Sequence, residues 1–551
     1  MSEEFLAELR AERELPVADI WEAAVARLDW PLSRGLNTAH EAADRWGRDR
    51  ARLAYILHHP DGSSERWTFA ELAEASSRLA TAWRKLGLQP GDRVAGVVGQ
   101  QSEAYIGALA AWRAGFVYMP LFAGFGTTAL GDRLAGGDPK VVIVDHHYRE
   151  ALDDALSAGG VDPAVYTVAG PGGRGLRHGD RSFWAELESY DALTSPVETL
   201  PSDPATLIYT SGTTGAPKGC LQAHQLILTV QPYIRHVFGL EQGDLLFAGA
   251  SPGWSYGLYT VGICPQALGH PRVAYSGDFD PEAWLRIIDK ERVTFIGAAP
   301  SAYRRLATTA ERHGGVPRSV RGASSSGEPL DAPLASAWRR LTGHDLQDGY
   351  GQSELAMVLA NLTGAEEPVE PGALAAAVPG FDVALVDPAG VPQERSGIIA
   401  VRRPQFQASV GYQGRDDLWQ ARWQGDYFLT GDLAEIDDAG RYHFVGREDD
   451  LIVTSGYNVG PSEVEAIILG LPGVADTAVV AAPDPKRGSA VRAVVVADGS
   501  VPRERLTTDI QEAVRVGLGR HAWPRIVDFV EELPRTETGK IRRHALRTQQ
   551  Q

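Results

Sequence analysis

Between Tyr209 and Gly219 the chain reads Tyr-Thr-Ser-Gly-Thr-Thr-Gly-Ala-Pro-Lys-Gly. Glycine lets backbone N–H groups turn toward a ligand with no Cβ in the way. The threonine and serine hydroxyls add donors, and Lys218 adds a positive charge. That set of groups suits a polyphosphate. The apolar run Ala205-Thr206-Leu207-Ile208 before it has the look of a buried strand delivering the loop. A generic cluster of Gly, Ser and Thr is usually only a loop, so the order of the residues has to carry the argument. Two phosphate motifs are excluded. A P-loop needs Lys followed by Ser or Thr, whereas Lys218 is followed by Gly219. A G-x-G-x-x-G pattern is absent from the loop.

Five further segments follow in order. They are Ser326-Gly327-Glu328-Pro329-Leu330, then Asp348-Gly349-Tyr350-Gly351-Gln352-Ser353-Glu354, then Tyr427-Phe428-Leu429-Thr430-Gly431-Asp432. Next comes Gly446-Arg447-Glu448-Asp449-Asp450-Leu451-Ile452, running on to Gly456 and Pro461-Ser462-Glu463-Val464-Glu465, and last Pro534-Arg535-Thr536-Glu537-Thr538-Gly539-Lys540-Ile541. Singly, each has a plain reading. Glu354 pairs on a surface helix, Asp432 is a turn residue after Gly431, Glu448 to Asp450 is a solvated charge run, and Lys540 is a surface lysine. Together, in this order, they resemble the adenylate-forming enzymes: acyl- and aryl-CoA synthetases, luciferases and peptide-synthetase adenylation domains. The resemblance covers roughly residues 40–547.

What the resemblance implies is a carboxylate attacking the α-phosphate of ATP and expelling pyrophosphate. Both reactants are anions, so the protein's work is positioning and charge stabilisation. By resemblance, Thr210, Ser211, Gly212, Thr213, Thr214, Gly215 and Lys218 hold the β- and γ-phosphates. Gly327, Glu328 and Pro329 form the adenine-side loop. Asp348, Gly349, Tyr350 and Ser353 belong to the strand-turn whose aromatic stacks on adenine, and Glu354 meets Mg²⁺, a hard cation suited to oxygen ligands. Asp432 takes both ribose hydroxyls, with Arg447 in support, and Lys540 is the catalytic lysine. Asp449 stands at the hinge of the family's domain rotation, which withdraws the lysine loop and brings the segment near Gly456 to the adenylate for thiol attack. The cofactors implied are ATP, Mg²⁺ and coenzyme A.

The same resemblance places the acyl pocket at Trp254 and Tyr256, with Ser324, Ser325 and Gly351 near its floor. Acetate-specific members carry tryptophan where Gly351 stands, so a deeper pocket is expected. Gly456-Tyr457-Asn458 looks more like the aryl- and aminobenzoyl-CoA ligases, since acetyl-CoA and medium-chain synthetases tend to carry Arg where Asn458 sits. Three functions stay open. The first is an acid:CoA ligase for an aryl or medium-sized acid. The second is a stand-alone adenylating enzyme with a carrier protein, an amine, or, in nitrite-dependent diazotisation, an aryl amine as acceptor. The third is a non-catalytic nucleotide-binding relative, against which Lys540, Glu354 and Asp432 argue. The chain ends at Gln551, so no attached carrier domain is expected.

The elements that must position these residues alternate strand and helix from about residue 93 onward, the pattern of a parallel sheet covered by helices. Thr68 and Glu71 have the spacing of a helix capping box. Residues 170–204 are expected to be a surface connection, and 378–402 read as short antiparallel strands. The His58-His59 and His146-His147 pairs are expected on the surface, since neighbouring residues do not share a face. The overall expectation is an α/β chain. A large N-terminal domain of stacked mixed sheets with flanking helices and a distorted β-barrel spans 1–447, a hinge 448–450, and a small mobile α+β domain 451–551.

Composition sets the outer limits. The 551 residues are 44% hydrophobic and 23% charged, ordinary for a soluble protein of several domains. Only Cys220 and Cys264 are present, so neither a disulfide framework nor a zinc spacing is expected. No apolar run has the length of a membrane helix, and the acidic start lacks a signal core. A cytoplasmic protein is expected, without membrane or nucleic-acid partners. The formal net charge of −18 argues against nucleic-acid binding. It also means that a site for ATP and a second anion must supply its own cations.

Overall fold

The computed structural model describes residues 2–192, 195–210, 217–365, 370, 372–374, 376–448, 450–454, 457–484, 488–520, 522–535 and 541–548. Two mixed sheets carry the first two thirds of the chain. The nine-stranded sheet has six parallel strands at its heart: Leu53–His58, Arg272–Tyr275, Leu246–Gly249, Phe295–Ala298, Gly322–Ser326 and Leu346–Gln352. Ala356–Ala360, Ala376–Ala377 and Ser64–Thr68 extend it in antiparallel fashion. In the eight-stranded sheet the order is Ser409–Tyr412, Lys218–Ala223, Pro204–Thr210, Val117–Leu121, Arg93–Val97, Val141–Asp145, Ala164–Val168 and Arg181–Ser182. In such sheets ligands collect at the carboxyl ends of the parallel strands. Thr210, Ser326 and Gln352 all stand at such ends.

Helix Ser102–Ala114 is buried at every position. A helix apolar on most of its circumference has to be enclosed, and this one packs into the largest core cluster with residues of both sheets. It also locates the strand leading to the Thr210 loop, because Trp112 Nε1 donates to the Ala205 carbonyl at 2.8 Å. Its one buried cation, Arg113, is neutralised in bidentate fashion by Asp44 at 2.8 and 2.7 Å. The helix that opens at Phe69 has the expected capping box at Thr68 and Glu71.

Seven antiparallel strands form the third sheet, with Ser396–Arg402, Tyr427–Ile436 and Tyr442–Arg447 at its centre. The fourth sheet is built of Tyr457–Val459, Ile452–Thr454, Gly488–Ala497, Val474–Asp484 and Ile526–Val530, with its own core under helices Pro461–Leu469 and Arg503–Gly517. Among the described residues, no helix is long and apolar enough to cross a membrane.

Two local expectations need correction. Residues 170–204 are more than a connection. Strand Arg181–Ser182 and helix Phe183–Glu188 lie within them, Phe183 and Leu187 are buried, and Trp184 stacks on Trp67. A six-residue helix is too short to show a helical period in the sequence. Nor do the histidine pairs simply lie on the surface. His58 is buried, with its Nε2 hydrogen-bonded to Glu291 at 3.0 Å. A tight turn over His146–Tyr148 brings the His146 and His147 rings to 3.8 Å between centroids, beside Asp145.

Trp184 also donates to Glu103 at 2.9 Å. Burial pushes the Glu103 carboxyl up to about 7, and the Glu65 and Asp145 charges push the same way. The folded protein keeps a proton there that the unfolded chain loses near 4.5. That contribution to stability is therefore complete below the unfolded value and is lost as pH rises through the folded one. Glu103→Gln keeps an acceptor for Trp184 without the buried charge. Its melting temperature is expected to exceed that of the wild type at about pH 8 and to converge with it near pH 5. Melts that differ equally at both pH values would contradict this.

Candidate active site

Strands Pro204–Thr210 and Lys218–Ala223 form an antiparallel hairpin pair in which Thr210 and Lys218 face each other, at the carboxyl end of the first strand. Of the expected phosphate contacts, Ser211, Gly212, Thr213, Thr214 and Gly215 lie outside the described residues. The Thr210 hydroxyl is directed at the Lys218 carbonyl at 3.5 Å, and the Lys218 ammonium sits 5.7 Å from the centroid of the Tyr412 ring.

The Tyr412 hydroxyl donates to Glu354 Oε1 at 2.7 Å. One tyrosine thus links the hairpin lysine to the expected metal carboxylate. The peptide before Glu354 is pinned as well. The Ser353 carbonyl accepts from Gln222 Nε2 at 2.9 Å and from Ser409 Oγ at 2.9 Å, both in the eight-stranded sheet. The end of Leu346–Gln352, in one sheet, is therefore tied to the edge of the other. Among the described residues Glu354 Oε2 has no hydrogen-bond partner. A free hard oxygen aimed from a fixed peptide would suit a magnesium ion as ligand.

The second centre is Asp432, paired in register with Arg447 on the neighbouring strand. Tyr350 OH and Gln352 Nε2 each donate to Asp432 Oδ2 at 2.6 Å, and Arg447 lies 3.5 Å from Oδ1. Gln352 also donates to the Thr430 carbonyl at 3.0 Å, and Arg422 donates to that carbonyl at 2.6 Å. Burial and the Asp432 charge push the Tyr350 phenol well above its ordinary value. It stays a neutral donor. The carboxylate is thereby fixed in one rotamer and keeps acceptor capacity at Oδ1, as a vicinal diol requires.

Asp348, half-buried, lies on the same strand as Tyr350 and Gln352. Burial pushes its carboxyl up to about 7, opposed by the hydrogen bond from Ser325 Oγ at 2.7 Å. Gly349 lies against Tyr233, whose hydroxyl is 2.2 Å from where a Cβ would stand. Gly327 has φ +94° and Trp254 lies across it, 2.6 Å from a Cβ position. Pro329 follows in the same loop. Glu328 accepts from the Ser301 amide and hydroxyl, both at 3.2 Å. Burial raises the Glu328 pKa, with Arg535 pulling against it. Arg535 forms an antiparallel bridge with Ile541, across the segment containing Lys540. Lys540 itself, Asp449 and Gly456 lie outside the described residues.

The expected pocket residues are brought together with one change of meaning. Trp254 and Tyr256 form a tilted pair 5.2 Å apart. Ser324 is fully buried under tyrosines, its Oγ 2.9 Å from Tyr233 OH and its carbonyl accepting from Tyr303 OH at 3.0 Å. Gly351 does not open the floor. A Cβ there would meet the Ala356 carbonyl oxygen at 2.0 Å, because the strand Ala356–Ala360 folds back against it at a register shift. Ala356 itself takes φ +66°. The depth expected from Gly351 is therefore withdrawn, since glycine is demanded there by backbone approach. Gly351→Ala is expected to cost about 1–3 kcal/mol of stability by forcing a backbone shift. A lowered melting temperature with reduced ATP-dependent turnover checks this, and an unchanged melt would contradict it.

Sequence reasoning missed Gln352, Tyr412, Arg422 and Gln222. Tyr412, Gln352 and Gln222 reach partners 58 to 131 positions away, Arg422 meets the Thr430 carbonyl eight positions on, and only Gln352 carried a signal, by lying inside a motif.

The AMP-binding enzyme family profile matches residues 39–412, and the AMP-binding enzyme C-terminal domain profile matches residues 463–540. The chain is 32% identical to the mouse mitochondrial acyl-coenzyme A synthetase ACSM4, over 96% of this chain and 93% of that protein. Among solved structures it resembles the Brucella canis acyl-CoA synthetase, with a TM-score of 0.76, 34% identity and 97% of both chains covered. It also resembles the anthranilate CoA ligase AuaEII in complex with anthranoyl-AMP, with a TM-score of 0.85, 26% identity, and 94% of this chain and 98% of that chain covered.

Proposed function

The chain belongs to the AMP-binding enzyme family, and we propose that it joins an aryl or medium-sized carboxylic acid to coenzyme A through an acyl-adenylate. As a member it is an AMP-forming ligase. The observation that carries the finer reading is the pair of fixed carboxylates. Asp432, held by Tyr350 and Gln352, is the ribose anchor. Glu354, held by Tyr412, is the metal ligand, and the two belong to one continuous strand-and-turn framework.

In the first half-reaction Asp432 and Arg447 fix the ribose, and Thr210 and Lys218 with the hairpin hold the leaving pyrophosphate. A carboxylate oxygen of the acid bonds to the α-phosphorus as the bond to pyrophosphate breaks. Glu354 would hold a magnesium ion, which when bound would supply charge screening for the phosphates. Lys540 stabilises the charge that builds between the two anions. In the second half-reaction the thiol sulfur attacks the acyl carbon and AMP leaves with the bridging oxygen. We place the small domain at 451–551 and its pivot at Asp449, the arrangement under which Lys540 serves only the first step. A cytoplasmic location belongs to the same reading.

Trp254 and Tyr256 offer a pair of aromatic faces 5.2 Å apart. Flat faces suit a planar ring better than an alkyl chain. A panel of benzoate, 2-aminobenzoate, hexanoate and acetate, assayed for pyrophosphate and AMP with and without coenzyme A, tests this. Multiple turnovers on an aryl or medium-sized acid only with coenzyme A are expected. Preference for acetate would overturn the substrate class. AMP release that needs an amine instead of coenzyme A would overturn the acceptor.

A further inference from the structure

Strand Val141–Asp145 ends on a buried aspartate, and the next two residues are histidines held in one tight turn. Asp145 Oδ1 lies 2.7 Å from His147 Nδ1 and 3.4 Å from His146 Nδ1, and one ligand atom from each residue falls within 4.8 Å of the others. In a tetrahedral zinc site, with bonds of about 2.0–2.1 Å, ligand atoms stand about 3.3 Å apart. The Asp145–His146 spacing already meets that value. The Asp145–His147 spacing reaches it when the N–H···O hydrogen bond is exchanged for metal bonds.

The surroundings hold the ligands. Gln101 Nε2 donates to Asp145 Oδ2 at 2.8 Å, the outer contact that orients a ligating carboxylate. The loop around residues 170–175 closes on His146 through two glycines. A Cβ on Gly170 would stand 2.5 Å from His146 Nε2, and one on Gly175 would stand 2.5 Å from His146 Cβ. The ring is thus packed on its Nε2 edge, with Nδ1 on the Asp145 side. His147 is exposed and gives access from solvent.

We propose that Asp145, His146 and His147 form a binding site for one divalent transition-metal ion of the zinc class, with two imidazoles and a carboxylate as ligands and the remaining position open to water. Two nitrogen ligands select such ions over magnesium. The site therefore differs in chemistry from Glu354, and it stands three strands away from Pro204–Thr210 in the same sheet.

The test is a titration of metal-stripped, tag-free full-length protein with Co²⁺ in excess Mg²⁺. One equivalent should bind with a visible d–d absorption band that Zn²⁺ abolishes. His147→Ala, at an exposed position, should weaken Co²⁺ binding by at least about tenfold and leave the melting temperature of the metal-free protein unchanged. His146→Asn should weaken it likewise. Absence of a visible band, or a band of unchanged affinity in either variant, would overturn the site.

Discussion

Lys540→Ala is expected to lower acid-dependent pyrophosphate release by about two to three orders of magnitude, the size of effect seen when a charge-stabilising donor is lost from a transition state. The reason is the charge balance of the reaction. A carboxylate must approach a triphosphate inside a protein of net charge −18, and the repulsion is greatest as the α-phosphate passes between oxygens. A lysine delivered to that point stabilises the transition state more than either bound anion. Arg535 and Ile541, which flank the lysine segment, pair in an antiparallel bridge, and the Arg535 charge acts on Glu328. Supplied acyl-adenylate should still react with coenzyme A at near wild-type rate, because Lys540 is assigned only to the first step. Equal losses in both half-reactions would show that the lysine is not confined to adenylation.

Asp432→Ala should reduce kcat/KM for ATP by about two to three orders of magnitude. Two charge-assisted hydrogen bonds to the ribose diol are worth about 1.5–3 kcal/mol each, and the substitution also leaves Tyr350, Gln352 and Arg447 without the carboxylate that they surround. The KM for the acid should change much less, since Asp432 touches only the nucleotide in this account. Asp432→Asn keeps the shape and loses the charge, so it should fall between alanine and wild type. Unchanged ATP kinetics in the alanine variant would remove Asp432 from the nucleotide site.

Much of this was legible in the sequence for a physical reason. Strand ends that bind phosphate and ribose need particular residues in consecutive order, so Thr210, Tyr350, Glu354 and Asp432 stand in recognisable runs. The alternation of strands and helices after residue 93 was legible too, because each element keeps its own hydrophobic period. The partners that hold the site still were not legible. Tyr412 reaches Glu354, and Gln222 reaches Ser353, across sheets that share no local pattern. Gly351 was misjudged because a missing side chain in sequence does not say which atom fills the space. Here the Ala356 carbonyl fills it. The His146–His147 pair departs from the expectation because a tight turn, unlike a strand or a helix, lets two neighbours meet. The assignments of Ser211, Gly212, Thr213, Thr214, Gly215, Asp449 and Lys540 rest on resemblance.

The central claim is that a carboxylate oxygen of the substrate bonds to the α-phosphorus and leaves with AMP. It is tested most directly by running one turnover with coenzyme A and an acid whose carboxylate oxygens carry a heavy isotope, then weighing the nucleotide product. The account predicts AMP bearing one labelled oxygen, with unlabelled pyrophosphate. Label in pyrophosphate or inorganic phosphate, or ADP in place of AMP, would contradict it.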